Sequence, residues 1–230
     1  MKTSNHIPRD TRRMTQKRLS PSERAHENER RRRRYAKEVS KYDKEMGLEE
    51  RLLFGSEHRR WACSQATGET LEVAIGTGLN LPYYPSDVKL TGLDISSEML
   101  AATRTRATEL EIPVELQEGD AQDLPFPDGT FDTVVSTYAM CSVPDEIQTI
   151  SEMKRVLKEG GHLILVDHIR SSVKPIFWLQ RLLELSPKRH KGELTRRPLI
   201  HVRAAGFEIQ AGDRMRAGIV ERLVALKPAS

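Results

Sequence analysis

Leu71-Glu72-Val73-Ala74-Ile75-Gly76-Thr77-Gly78 is the stretch on which the fold turns. Its first five residues read as a short buried strand. The two glycines let the backbone bend sharply and approach a ligand closely. Downstream, Val88 to Leu93 reads as a second strand closing at Asp94. Ser96 caps a helix to about Leu110, with Met99, Leu100, Thr103 and Ala107 on one face. Pro113 to Gln117 is a third strand. The turn Pro127-Asp128-Gly129 introduces a fourth, Phe131 to Ser136. A helix over Pro144 to Lys158 stops at Gly160-Gly161, and His162 to Val166 is a fifth strand. Strands alternating with helices of this length form a parallel sheet with right-handed crossovers. After helices near 174–185 and 195–205, Gly206 to Ile209 and Ile219 to Leu226 read as two strands. Their connection is too short for a helical crossover, so this pair is antiparallel.

Upstream of Leu71 the pattern changes. Residues 1–34 hold 12 Lys+Arg against 4 Asp+Glu, and the remainder 25 against 29, so the basic balance of the chain comes from its beginning. Residues 1–20 are polar without periodicity and are expected to be disordered. Ser20-Pro21 then starts a polar helix to about Met46, and a second helix follows over about 48–65, interrupted at Gly55. The expected organisation is a basic, disordered or helical tail over 1–34, then one domain over 35–230 that includes N-terminal helices over 35–66. The tail suits nucleic acid, an anionic membrane surface or simple solvation. No apolar signal-peptide core and no membrane-length apolar run occur in the sequence. Two cysteines exclude a disulfide framework or a cysteine-built zinc site, and no metal site is expected. The expected location is cytoplasmic, with peripheral membrane contact as an extension.

Glu72-x-x-x-Gly76-x-Gly78 sits where the first strand meets what reads as a first helix, whose N-terminus would offer free N–H groups. The third glycine of a dinucleotide fingerprint is missing; Leu81 stands in its place. A pyrophosphate cradle is therefore poorly supported. Asp94 suits the two hydroxyls of a ribose. Asp120, in Gly119-Asp120-Ala121 after the third strand, suits an exocyclic adenine amine. Two carboxylates around a nucleoside, without a phosphate cradle, fit a cationic ligand such as S-adenosylmethionine (SAM) better than a diphosphate. Each acid also has a plainer use, at a helix N-terminus or in a loop, and Met99 also fits as core.

Together with Gly92-Leu93-Asp94-Ile95-Ser96 and Leu157-Lys158-Glu159-Gly160-Gly161, these motifs resemble, in order, the series of the UbiE-like (type 11) methyltransferases. The resemblance covers roughly 40–226. Cys141-Ser142-Val143 and Leu194-Thr195-Arg196 further resemble the phospholipid N-methyltransferase and thiol methyltransferase-like branch. The resemblance implies an α/β Rossmann-like fold: a seven-stranded, mostly parallel sheet with a terminal antiparallel hairpin, helices on both faces and an N-terminal helical extension. It implies a SAM-dependent methyltransferase. Glu72, Gly76, Thr77 and Gly78 would line the methionine portion, flanked by Asn80 and Leu81. Asp94 would hold the ribose, Ile95 and Met99 would pack on the adenine, and Asp120 and Ala121 would read its edge. Ser136, Thr137 and Tyr138 would face the sulfonium and the acceptor. Tyr42-Asp43 resembles a short motif that closes over the cofactor, and Tyr35 is a second candidate. One departure is Ala74, where the family usually has Gly.

Methyl transfer from a sulfonium needs alignment and exclusion of water, and a base only if the acceptor must lose a proton. Tyr138, Cys141, Asp167 and His168, at the ends of strands four and five, are the candidates; His168, Tyr138 and Asp167 are the expected catalytic residues. The Asn/Asp-Pro-Pro-Tyr/Phe motif of base and amide methylation is absent after strand four. The apolar segment Pro175 to Leu183, followed by Lys188-Arg189-His190-Lys191, suits a small or lipid-like acceptor and contact with a membrane surface; it also fits packing on the sheet. An RNA-modifying enzyme using the Arg-rich tail and a non-catalytic SAM-binding protein are the alternatives. No stable protein partner is implied.

Overall fold

A computed structural model describes residues 19–55, 57–185 and 194–229. The first 18 residues of the basic tail and the run Lys188 to Lys191 lie outside the described residues. Seven strands form one sheet: β1 (Glu69–Val73), β2 (Lys89–Asp94), β3 (Glu115–Glu118), β4 (Phe131–Thr137), β5 (Leu157–His168), β6 (Glu208–Met215) and β7 (Val220–Leu226). Their order is β3-β2-β1-β4-β5-β7-β6. The first five run parallel, and β7 is antiparallel to both β5 and β6. The expected sheet and its terminal hairpin are therefore present. Strand order reverses between β1 and β4, so a crevice opens at their carboxyl ends, the usual ligand position in such sheets.

Alternating side chains supply two cores. Leu71, Val73, Val134 and Leu163 pack with Ile150 and Met153 of α4 (Glu146–Val156) and with Leu199 and Val202 of α6 (Pro198–Ala204). On the other face Val135, Ile164 and Leu90 pack with Ala62 and Cys63 of α2 (Glu57–Cys63) and with Leu100 and Ala107 of α3 (Ser97–Glu109). Helix α3 buries the predicted Met99, Leu100, Thr103 and Ala107, and the Ser96 hydroxyl accepts from the Met99 N–H as its cap.

Several elements differ from the sequence reading. Gly76-Thr77-Gly78 leads into no long helix: only a 3-10 turn, Leu81–Tyr83, separates it from β2. Pro82 lies within that turn and Pro85 two residues beyond it, where a proline ring prevents the helix from growing on. Helix α4 ends at Val156, and the chain is extended through Gly160-Gly161, which lie inside β5. The backbone N–H of Gly160 and the carbonyl of Gly161 are taken by Lys227, which draws this stretch into the ladder. Helix α1 (Pro21–Glu49) is longer than expected, passing into a π-helical turn over Glu50–Phe54 before Gly55. Ser20 and Glu23 form a reciprocal capping box at its start. Helix α5 (Lys174–Glu184) buries only Gln180 and does not pack its apolar stripe on the sheet.

Candidate functional site

A cavity occupies the crevice beyond β1, β2 and β4. Of the residues singled out from the sequence, Tyr42, Gly76, Asp94, Ile95, Met99, Asp120, Ala121, Thr137 and Tyr138 line it. Asp94 ends β2, where its carboxylate accepts the Gly76 N–H at 2.9 Å and the Ser96 N–H at 3.0 Å. Burial raises its proton affinity, against the pull of these two N–H groups. Asp120 accepts from the Gln122 N–H at 2.9 Å. The two acids thus line one cavity.

The two glycines have different reasons to be glycine. Both hold positive φ, 62° at Gly76 and 77° at Gly78. A Cβ on Gly76 would meet only the Tyr42 ring, at 3.9 Å, so this position leaves room at the cavity. A Cβ on Gly78 would press on Leu81 and Thr103 at 3.0 Å, so this one serves packing. Ala74 lines the cavity at φ 60°, a left-handed conformation that costs an alanine more than the glycine usual there.

Five residues assigned to the methionine portion do not line the cavity. Glu72 is buried with its carboxylate taken by the Asn80 side-chain amide at 2.6 Å and the Tyr84 hydroxyl at 2.8 Å. Burial pushes its pKa up to about 7. Asn80 stands behind Thr137, donating to its hydroxyl at 2.9 Å. Thr77 donates to Asp43 at 2.6 Å, and Arg106 pairs with the same carboxylate, so Asp43 fastens α1 to the loop after β1 and to α3. Gly78 and Leu81 belong to the packing beneath, Leu81 within the core.

Helix α1 crosses the cavity. Tyr35 and Tyr42 line it with their rings edge to face, 6.5 Å between centroids. Asn28 and Arg31 line it as well, and neither was singled out from the sequence. The Asn28 side-chain amide donates to the Asp120 carboxylate at 2.6 Å. A capping position and a basic run were the only local signals in that segment, so nothing in the sequence pointed to Asn28.

A second, smaller cavity adjoins the first. Tyr35, Tyr42, Tyr138 and Ser142 line both. Cys141 and His168 line the second, together with Glu38, Glu45 and Glu49 of α1. Tyr138 holds a φ of 55°, strain that is common where a strand ends at a site. Asp167 lines neither cavity. It is buried, accepts the Met140 N–H at 2.6 Å, and its other carboxylate oxygen lies 3.4 Å from the Nδ1 of His168. Among the described residues, Cys141, Asp167 and His168 are one group whose ligand atoms lie within 4.8 Å of one another. Burial pushes the Cys141 thiol and the Asp167 carboxyl up, which disfavours the deprotonated forms a metal needs.

This arrangement fits SAM. Two carboxylates and an open glycine face one cavity, and the loop after β1 has neither the third glycine nor the helix N-terminus that a diphosphate uses. Residues 71–165 match the family Methyltransf_11, described as a methyltransferase domain. A phosphatidylethanolamine N-methyltransferase of Cereibacter sphaeroides is 43% identical over 118 residues, 50% of this chain and 58% of that protein. A demethylmenaquinone methyltransferase of Listeria monocytogenes is 47% identical over 79 residues, 34% of this chain and 33% of that protein. The similarity thus spans less than two thirds of the length of either relative. The crystal structure of a SAM-dependent methyltransferase from Methanosarcina mazei is 25% identical, with a TM-score of 0.59, covering 70% of this chain and 93% of that one. The matched residues 71–165 carry most of β1, all of β2 to β4, both cavity carboxylates and most of β5.

Proposed function

We propose that this chain transfers a methyl group from SAM to a small-molecule or lipid-like acceptor. The observation that carries this is the shared cavity of Asp94, Asp120 and Gly76 at the strand-order reversal, adjoining a second cavity across Tyr138. Asp94 would take the ribose hydroxyls, Asp120 the adenine amine, and Ile95 and Met99 the faces of the base. SAM supplies a methyl group already activated on a sulfonium. The protein's part is alignment, exclusion of water by Tyr35 and Tyr42, and acceptance of any acceptor proton by His168, with Asp167 steadying the ring. The test is calorimetry with SAM on the full chain and on Asp94→Ala. Undiminished binding by the variant would remove this site. A screen for S-adenosylhomocysteine release, with phosphatidylethanolamine, quinols, phenols and alkyl thiols, then tests the acceptor class.

A lipid acceptor has specific support. Helix α5 follows the carboxyl end of β5, on the cavity side of the sheet, and exposes Trp178, Leu182 and Leu185 at 67%, 66% and 75%. These positions form one helical stripe, suited to lying in a lipid interface. The named substrate of the Cereibacter relative is a membrane phospholipid. No helix among the described residues is long and apolar enough to cross a membrane. Contact with a bilayer would therefore be peripheral through α5, and the domain limits of the sequence reading remain part of this proposal.

A further inference from the structure

Arg31 is a half-buried residue of α1 that lines the larger cavity, one turn after Asn28 and one turn before Tyr35. Its Nε is buried without a hydrogen-bond partner, and no hydrogen bond or ion pair of Arg31 occurs among the described residues. The carboxylates that could reach it are committed elsewhere. Glu27, one turn earlier on α1, pairs with Arg30 at 3.5 Å. Asp120 takes the Asn28 amide at 2.6 Å. Burial above all, and the like charge of Arg196, hold the pKa of Arg31 below the ordinary arginine value.

The charged end of Arg31 lies where the two cavities meet. It is within electrostatic range of the Tyr35 phenol and the Cys141 thiol. The Tyr35 hydroxyl is hydrogen-bonded to Ser142, and Tyr35 and Ser142 line both cavities. Arg196 brings a second positive charge to the same loop, its Nη1 donating to the Met140 carbonyl at 2.6 Å and the Val143 carbonyl at 2.7 Å. The cofactor gives these charges no anion. Its sulfonium is a cation and its adenine is uncharged. The cofactor reading puts its carboxylate at Gly76, beside the Tyr42 ring. Tyr42 stands about 16 Å further along α1 than Arg31, at 1.5 Å per residue, beyond the reach of an arginine side chain. Glu38, Glu45 and Glu49 line the second cavity and repel an anion there, so the Arg31 end is the place for one. A guanidinium fork matches the paired oxygens of a phosphate or a carboxylate.

We propose that Arg31 binds an anionic oxygen group of the methyl acceptor, a phosphodiester or a carboxylate, at the junction of the two cavities. The assignment rests on the methyltransferase reading above and narrows its acceptor class. With its anion at Arg31, the rest of the acceptor lies in the second cavity, beside Tyr138 and His168. An uncharged quinol or phenol leaves this guanidinium unpaired, so Arg31 selects against it.

The experiment is calorimetry on the full chain, wild type, Arg31→Gln and Arg31→Lys, with thermal unfolding of each. Two pairs of soluble probes are titrated with S-adenosylhomocysteine present: dihexanoylphosphatidylethanolamine against dihexanoylglycerol, and decanoate against decanol. SAM is titrated separately. Wild type is expected to prefer the charged member of a pair by roughly 10- to 100-fold, the range of one hydrogen bond to a charged group. A preference in the first pair names a phosphodiester as the anion, and one in the second pair a carboxylate. Arg31→Gln loses the preference by weakening the charged compound alone, and Arg31→Lys keeps part of it. SAM affinity holds or rises in Arg31→Gln, because the charge removed has the sign of the sulfonium. No preference in either pair overturns the assignment and leaves the methyltransferase reading standing. So does a preference that survives in Arg31→Gln, or a Gln variant that loses SAM affinity instead. If wild type does not bind SAM, the methyltransferase reading fails and this assignment fails with it.

Discussion

Asn28 and Asp120, 92 positions apart, meet in a hydrogen bond of 2.6 Å at the wall of the larger cavity. Gln122 ties the pair together, donating to Asn28 at 3.2 Å and to Asp120 at 3.0 Å. Helix α1 has no buried residue, yet this one amide places it against the acid proposed to read the adenine edge. Asn28→Ala is expected to weaken SAM binding by about three- to tenfold, the range for a neutral hydrogen-bond partner. Calorimetry checks this. An unchanged affinity would remove α1 from the adenine end of the site.

Ala74 carries a different expectation. Its φ of 60° is a conformation that glycine adopts without the penalty of a Cβ. Ala74→Gly should raise stability by about 1 kcal/mol, the relief of left-handed strain exceeding the added freedom of the unfolded chain. Urea unfolding measures it. Because Ala74 lines the cavity, SAM affinity should rise or hold. A loss of stability would show that the alanine methyl packs too well to be removed.

Glu72 links the site to pH. Burial lifts its folded pKa from the ordinary 4.5 to about 7. The folded state then binds more protons than the unfolded state between these values. The stability this group contributes is present below the unfolded pKa and is lost as pH rises through the folded one. Wild type should therefore lose up to about 3 kcal/mol relative to Glu72→Gln between pH 4.5 and pH 8. Asp94 and Asp167 shift in the same direction, so the comparison with the Gln variant isolates Glu72. Parallel stability curves for the two proteins would mean that Glu72 ionises as readily as in water.

The exposed stripe of α5 separates binding of a surface from binding of the cofactor. Trp178→Asp with Leu182→Asp should abolish sedimentation with anionic phospholipid vesicles and leave SAM affinity unchanged. The altered side chains are exposed, so the fold should tolerate both. Vesicle binding equal to that of wild type would show that α5 faces no bilayer.

The strands, their parallel order and the closing hairpin were legible in the sequence because they depend on local periodicity and connection length. Leu71 to Ile75 and His162 to Val166 are apolar runs that a buried strand requires, and the short link before Ile219 permits only an antiparallel return. Asp94 and Asp120 were legible for the same reason: each follows a strand end, and parallel strands carry their ends to one edge. What lies behind that edge was not. Glu72 turned away to Asn80 and Tyr84, Arg59 entered from α2, and Asn28 arrived from a helix that reads locally as solvated. Hydrogen bonds between side chains dozens of positions apart leave no period or spacing in the chain. Only tertiary packing brings the donors and acceptors within reach.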